Sequence, residues 1–180
     1  MALLESVPRR WKWFTAFGVI TLVADQLTKF WARGALPSDS RGYGIPVPIV
    51  DNFWDWRLSY NTGSAFGLFS SVNGARIFLT VVGVVALGAI LWMVHKATDG
   101  QRRLVAALGL VGGGAIGNVV DRVAYGRVTD FVVWKWYEHE WPTFNVADAA
   151  LCVGVGLLFL DLGRQQRDDK RARETAPEKG

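Results

Sequence analysis

Residues Gly112 to Asp148 read GGGAIGNVVDRVAYGRVTDFVVWKWYEHEWPTFNVAD and set three carboxylates, Asp121, Asp130 and Asp148, at the ends of two long apolar runs. Asn118, Arg122 and Asn145 lie among them. An ionisable group at or inside a bilayer costs about 3 kcal/mol even on insertion scales, so a cluster of them marks a functional site by default.

Working outward from this stretch, the flanking segments read as membrane spans. Leu104 to Val120 is uncharged, and its Gly109, Gly113 and Gly117 recur every fourth residue, a spacing that lets helix backbones approach closely. A last span runs from near Ala147 to near Leu162, with Ala150 and Gly154 again four apart. Upstream, Ile77 to Val94 is an uncharged run, and Trp13 to Trp31 is long enough to cross a core of about 30 Å at about 1.5 Å per residue. That first segment carries Asp25 and Lys29 where a cleavage region would carry small neutral residues, so it reads as a retained span. The two are four apart on one helix face, and pairing lowers the cost of holding both in a membrane.

Composition agrees with this class. The 180 residues are 51% hydrophobic and only 20% charged, with nine Trp and ten Phe, too apolar for an ordinary soluble domain. The net charge of +4 would suit nucleic acid, but the basic residues flank apolar segments rather than line one face, so no nucleic-acid partner is expected. Arg9, Arg10 and Lys12 precede the first span, Lys96, Arg102 and Arg103 sit between the second and third, and Arg164 to Gly180 is basic. By the positive-inside rule these three segments, both termini included, are cytoplasmic. Residues 1–163 are then one membrane domain, and 164–180 a charged, disordered cytoplasmic tail.

Between the first two spans, Gly34 to Gly74 is too polar to cross. Within it, Ile45 to Tyr60 alternates, with Trp54, Trp56, Leu58 and Tyr60 on one side, as expected of a short surface sheet whose aromatic face dips into the headgroup zone. The expected fold is therefore an all-α integral membrane protein, a four-transmembrane-helix bundle with a small extracytoplasmic β-sheet at the membrane surface. Asp25, Asp121, Asp130 and Asp148 all come out toward its outer leaflet.

No metal or cofactor is expected, because the chain has no Cys/His cluster at ligand spacing; His95 and His139 stand alone as loop or interface residues, and Cys152 reads as a small buried hydrophobe. Two close carboxylates cannot easily both ionise, so one is left as general acid and the other as general base. Such a pair can activate water against an amide and protonate the leaving nitrogen. The chain offers no Ser with a His partner and no HExxH pair, and its one cysteine lies in a span, so aspartic hydrolysis is what remains for a hydrolase. From another class, a small proton- or ion-coupled transporter also carries intramembrane acids, but it usually shows repeated halves, and this sequence has none.

Asp25-Gln-Leu-Thr-Lys29, Asn61-Thr-Gly-Ser-Ala-Phe66, the run Gly113 to Arg122, Val128-Thr-Asp-Phe131 and Phe144-Asn-Val-Ala-Asp148 together resemble lipoprotein signal peptidase, the type II or prolipoprotein signal peptidase of bacteria. The resemblance covers Trp13 to Leu162 in order. It implies a monomeric aspartyl endopeptidase of the inner membrane that cuts diacylglyceryl-modified prolipoproteins just before the lipidated cysteine, among membrane lipids, and that binds globomycin-type inhibitors. It places the catalytic pair on Asp130 and Asp148, with Asn118, Asp121, Arg122 and Asn145 orienting them and Asp25, Lys29 and Asn61 around the site. Ser64 and Thr129 depart from the usual Ala and Val. In sequence alone Asp121 rivals Asp130 as the partner of Asp148, although Asp121 follows Asn118 by three and adjoins Arg122, so it can be neutralised locally.

Overall fold

The computed structural model describes residues 7–63 and 72–175, so Ser64 to Phe66 of the Asn61 motif lie outside the described residues. Among the described residues, four long helices and four short strands follow one another: α1 (Arg9–Ala35), β1 (Val47–Val50), β2 (Trp54–Asn61), α2 (Val72–Lys96), α3 (Arg102–Tyr125), β3 (Val128–Trp136), β4 (His139–Glu140) and α4 (Val146–Thr175). Three helical segments among the described residues are long and apolar enough to cross a membrane, namely Gly74–Lys96, Arg102–Tyr125 and Val146–Asp168.

Local chemistry sets the helix ends. α1 stops where Leu36 turns extended, the conformation forced on a residue before proline, here Pro37. α3 stops at Gly126, whose φ of 74° suits a residue without a Cβ and lets its N–H donate to the Arg122 carbonyl.

The glycines of α3 decide how it packs. A Cβ on Gly109 would stand 2.8 Å from the Phe14 carbonyl oxygen, and one on Gly113 2.5 Å from that of Gly18, so only glycine lets α3 lie flush on α1. Gly114 and Gly154 make the equivalent close approach between α3 and α4. α3 is thus the central helix, with α1 and α4 packed on it closely; α2 leans on α3, touches α1 little and stands apart from α4.

The sheet has the order β1-β2-β3-β4, all antiparallel, with Ser59 opposite Asp130 and Tyr60 opposite Thr129. β3 is the element that periodicity misses. Its residues Val128 to Val133 are all buried, so it lacks the alternation that marks a half-exposed strand.

Three expectations need correction. Trp54, Trp56 and Tyr60 do not form one lipid-facing side: the irregularity between Trp56 and Ser59 breaks the alternation, and all three pack inward against the cluster of Ala32, Leu58, Phe131 and Val132, with Trp56 edge-on to Trp31. Exposed aromatics of the sheet region include instead Trp134 (50%), Trp136 (68%) and Trp141 (65%) around the hairpin from β3 to β4, whereas Trp31 of α1 lies against Trp56 of β2. Cys152 is exposed on α4 rather than buried. Finally, α4 runs on through Arg164 to Thr175, a stretch whose composition alone points to a disordered tail. Extending an existing helix avoids the cost of nucleation, and Lys170 with Glu174 at 3.8 Å adds a pair four apart.

Candidate active site

The polar residues expected at the site meet where the end of α1, the end of α3, strand β3 and the start of α4 converge. α1 buries Thr21, Asp25, Lys29 and Ala32, spaced four, four and three apart, so one helical stripe carries its charges against α3. Asp25 and Lys29 pair at 2.8 Å with no side-chain exposure, and a Cβ at Gly117 would run into the Asp25 carboxylate. Asp25 accepts from Gln26 Nε2 at 3.0 Å and from the Ala147 N–H at 2.9 Å.

That last bond belongs to the start of α4. Asn145 stands immediately before the helix; its Oδ1 accepts from the Asp148 N–H at 3.0 Å, while Asp148 Oδ2 accepts from the Asn145 N–H at 3.3 Å. This reciprocal exchange is a capping box, and with Asp25 on the Ala147 N–H it satisfies donors that a helix start leaves orphaned. Both carboxylates also sit at the positive end of the α4 dipole.

The cap ties α4 to β3. Phe144 pairs with Val132 across an isolated bridge, exchanging backbone bonds of 2.9 Å and 3.0 Å, which brings the next residue beside Asp130. Asn145 Nδ2 then donates to Asp130 Oδ1 at 2.6 Å and shares its protons with Asn118 Oδ1 at 3.2 Å and the Thr129 carbonyl at 3.3 Å. Asn118 in turn donates from Nδ2 to Asp148 Oδ1 at 2.8 Å. Its orientation is fixed because Lys29 Nζ donates to the Asn118 oxygen at 2.9 Å. Asp130 and Asp148 therefore share one amide neighbour, and a lysine sets the other amide through its oxygen.

Asp130 is 2% exposed, and its carboxyl is pushed up to about 7, first by burial and then by the charge of Asp148. Hydrogen bonds from Asn145 and Asn61, and the charge of Lys29, oppose that rise. Asn61 reaches the site from the end of β2, where its Oδ1 also accepts from the Gly63 N–H at 2.9 Å. Arg122 donates to the Asn118 carbonyl at 3.4 Å and lies within Coulombic reach of Asp148, Asp130 and Asp121.

Asp121 has a different environment. It is fully buried, accepts from the Thr129 N–H at 2.8 Å, and faces Arg33 at 3.5 Å and Lys29 at 3.7 Å. Thr129, noted in the sequence only as a departure from the usual Val, and Arg33, not singled out there, belong to this network; Arg33 Nη1 donates to Thr129 Oγ1 at 2.9 Å and stacks over Tyr125. The signal was available, since Arg33 continues the Asp25, Lys29 face by another four residues.

Comparison with known proteins bears on this arrangement. A family model described as signal peptidase (SPase) II matches residues 17–164. The chain is 38% identical over 152 residues to the lipoprotein signal peptidase of Xanthomonas campestris pv. campestris (strain 8004), covering 82% of this chain and 88% of that one. It is 41% identical over 147 residues to that of Polynucleobacter necessarius subsp. necessarius (strain STIR1), covering 81% and 86%. Among solved structures, a bacterial membrane enzyme determined by the in meso method at 2.3 Å resolution superposes with a TM-score of 0.73 at 26% identity, covering 86% of this chain and 90% of the other.

Proposed function

From the premise that this chain belongs to the signal peptidase II family, we propose that it is an aspartic endopeptidase that cleaves diacylglyceryl-modified prolipoproteins just before the lipidated cysteine. The observation that carries the aspartic reading is Asn145, which bonds Asp130 through its side chain and Asp148 through its backbone N–H and its Oδ1. Asp130, holding its proton up to about 7, protonates the leaving nitrogen, and Asp148 takes the proton of the attacking water. Asn118, Asn145 and Lys29 orient the pair, Asn61 and Arg122 border it, and Asp25 and Asp121 hold the helices and β3 around it.

The placement proposed is the bacterial inner membrane, with four spans, cytoplasmic termini and the site toward the outer leaflet. For α1 as the fourth span, its charges are turned onto α3 while Ile20, Val23, Leu27 and Phe30 stay exposed on the other side. The N-terminal end of α1 lies against the α2 to α3 connection, where Asp99 accepts from the Arg9 and Arg10 backbone, so two of the basic segments share one end of the bundle. The separation of α2 from α4 supports lateral entry, with the acyl chains left in lipid. Monomeric action and binding of globomycin-type inhibitors complete the reading.

The test is cleavage of a diacylglyceryl lipobox peptide by the purified chain. Wild type is expected to release the signal peptide, Asp130→Asn and Asp148→Asn to lose at least about a hundredfold of that rate, and inhibition by globomycin to be complete. Near-normal turnover in either variant removes that acid from the mechanism.

A further inference from the structure

A cavity of about 500 Å³ lies between α2 and α3, lined by Arg76, Ile77, Thr80 and Val81 of α2 and by Arg122 and Val123 of α3. Arg76 is near the start of the Gly74–Lys96 segment and Arg122 near the end of Arg102–Tyr125, so in two antiparallel spans both guanidiniums stand at the same bilayer boundary. Ile77 and Val81 lie deeper along α2 than Arg76, and Val123 follows Arg122 on α3; all three are exposed, forming an apolar wall open to lipid.

We propose that this groove binds the phosphate-bearing headgroup of a bilayer glycerolipid at Arg76 and Arg122, with one acyl chain laid inward along Ile77 and Val81. Among the described residues neither guanidinium has a carboxylate within ion-pair distance. Each makes, among the described residues, one long bond to a backbone carbonyl, Arg76 to Val123 at 3.4 Å and Arg122 to Asn118 at 3.4 Å. A guanidinium has five N–H donors, so most remain for a ligand. Capping the end of α3 accounts for one donor of Arg76, but not for a second guanidinium across a cavity. Arg122 is balanced at longer range by Asp148, Asp130 and Asp121, which makes Arg76 the principal anion partner and sets Arg122 between the phosphate and the acids. Basic pockets between spans are a general mode of headgroup recognition, and guanidinium forks match phosphate oxygens. The apolar wall selects a lipid source over free phosphate.

The inference needs the membrane reading but not the peptidase one, because binding is measured without peptide substrate. The full chain in detergent is titrated with dioctanoyl phosphatidylglycerol, with dioctanoylglycerol and with inorganic phosphate, reading retention by native mass spectrometry and the shift in Tm. Wild type is expected to retain the phosphatidylglycerol and gain Tm from it alone. Arg76→Gln should bind it about tenfold more weakly, the loss expected for a charge-assisted hydrogen bond, and Arg76→Lys should fall between. Val81→Trp fills the groove without touching Arg76, and should lose retention even if Arg76→Gln does not fold. Equal retention of dioctanoylglycerol, an equal Tm gain from inorganic phosphate, or unaltered binding in Val81→Trp would each overturn the proposal.

Discussion

Asn145 and Asp148 exchange hydrogen bonds at the first turn of α4, at 3.3 Å and 3.0 Å, so the residue proposed as catalytic base is also half of a helix cap. The same Asn145 reaches Asp130 at 2.6 Å. Asn145→Ala should therefore lower stability by about 1 kcal/mol through the lost cap, and cut kcat far more than that loss explains, by about a hundredfold. Thermal melts and peptide cleavage on the same sample separate the two; a kcat loss that tracks the unfolded fraction would reduce Asn145 to a cap.

The raised carboxyl of Asp130 has a definite sign for stability. Its folded value of about 7 lies above the unfolded value of about 3.9, so between these the folded chain binds more protons and stability falls as pH rises. Asp130→Asn cannot ionise and keeps an oxygen for Asn145, so it should melt about 3 °C or more above wild type at pH 8 and no higher at pH 4. A difference independent of pH would mean that Asp130 is not held protonated.

Cleavage should follow the same group in the same direction. If Asp130 supplies the proton to the leaving nitrogen, the rate falls as pH rises through about 7. A flat profile from pH 6 to pH 9 in detergent would assign the acid to another group.

Asp121 should behave as a structural acid. Asp121→Asn leaves Lys29 and Arg33 short of a buried counter-charge, which costs about 3–5 kcal/mol when such pairs are broken. Its Tm should drop at every pH, whereas a normal Tm with no cleavage would make Asp121 the partner of Asp148.

Arg33 and Thr129 should act as a unit one residue before Asp130. Thr129→Val removes the acceptor of the 2.9 Å bond, and Arg33→Ala the donor. Residues in one network couple by about 0.5–3 kcal/mol, so the double variant should be no worse than the poorer single one. Additive losses in Tm would show that the hydroxyl and the guanidinium serve separate ends.

What the sequence determined by itself was set by near neighbours. Apolar runs located the three helical segments long enough to cross a membrane, the four-residue spacing of Asp25 and Lys29 placed their pair on one face, and the glycines of α3 marked the surface that takes α1. The cap went unread, although Asn145 and Asp148 stand three apart before an apolar run, a local signature of a helix start. Tertiary structure decided the rest because those contacts join distant segments: which acid Asn145 holds, how Lys29 orients Asn118, and that Trp54 and Trp56 turn inward against α1. β3 belongs to that second group. A strand buried on both faces has no alternation to read, and only pairing with β2 and the bridge to Phe144 bring Asp130 to the start of α4.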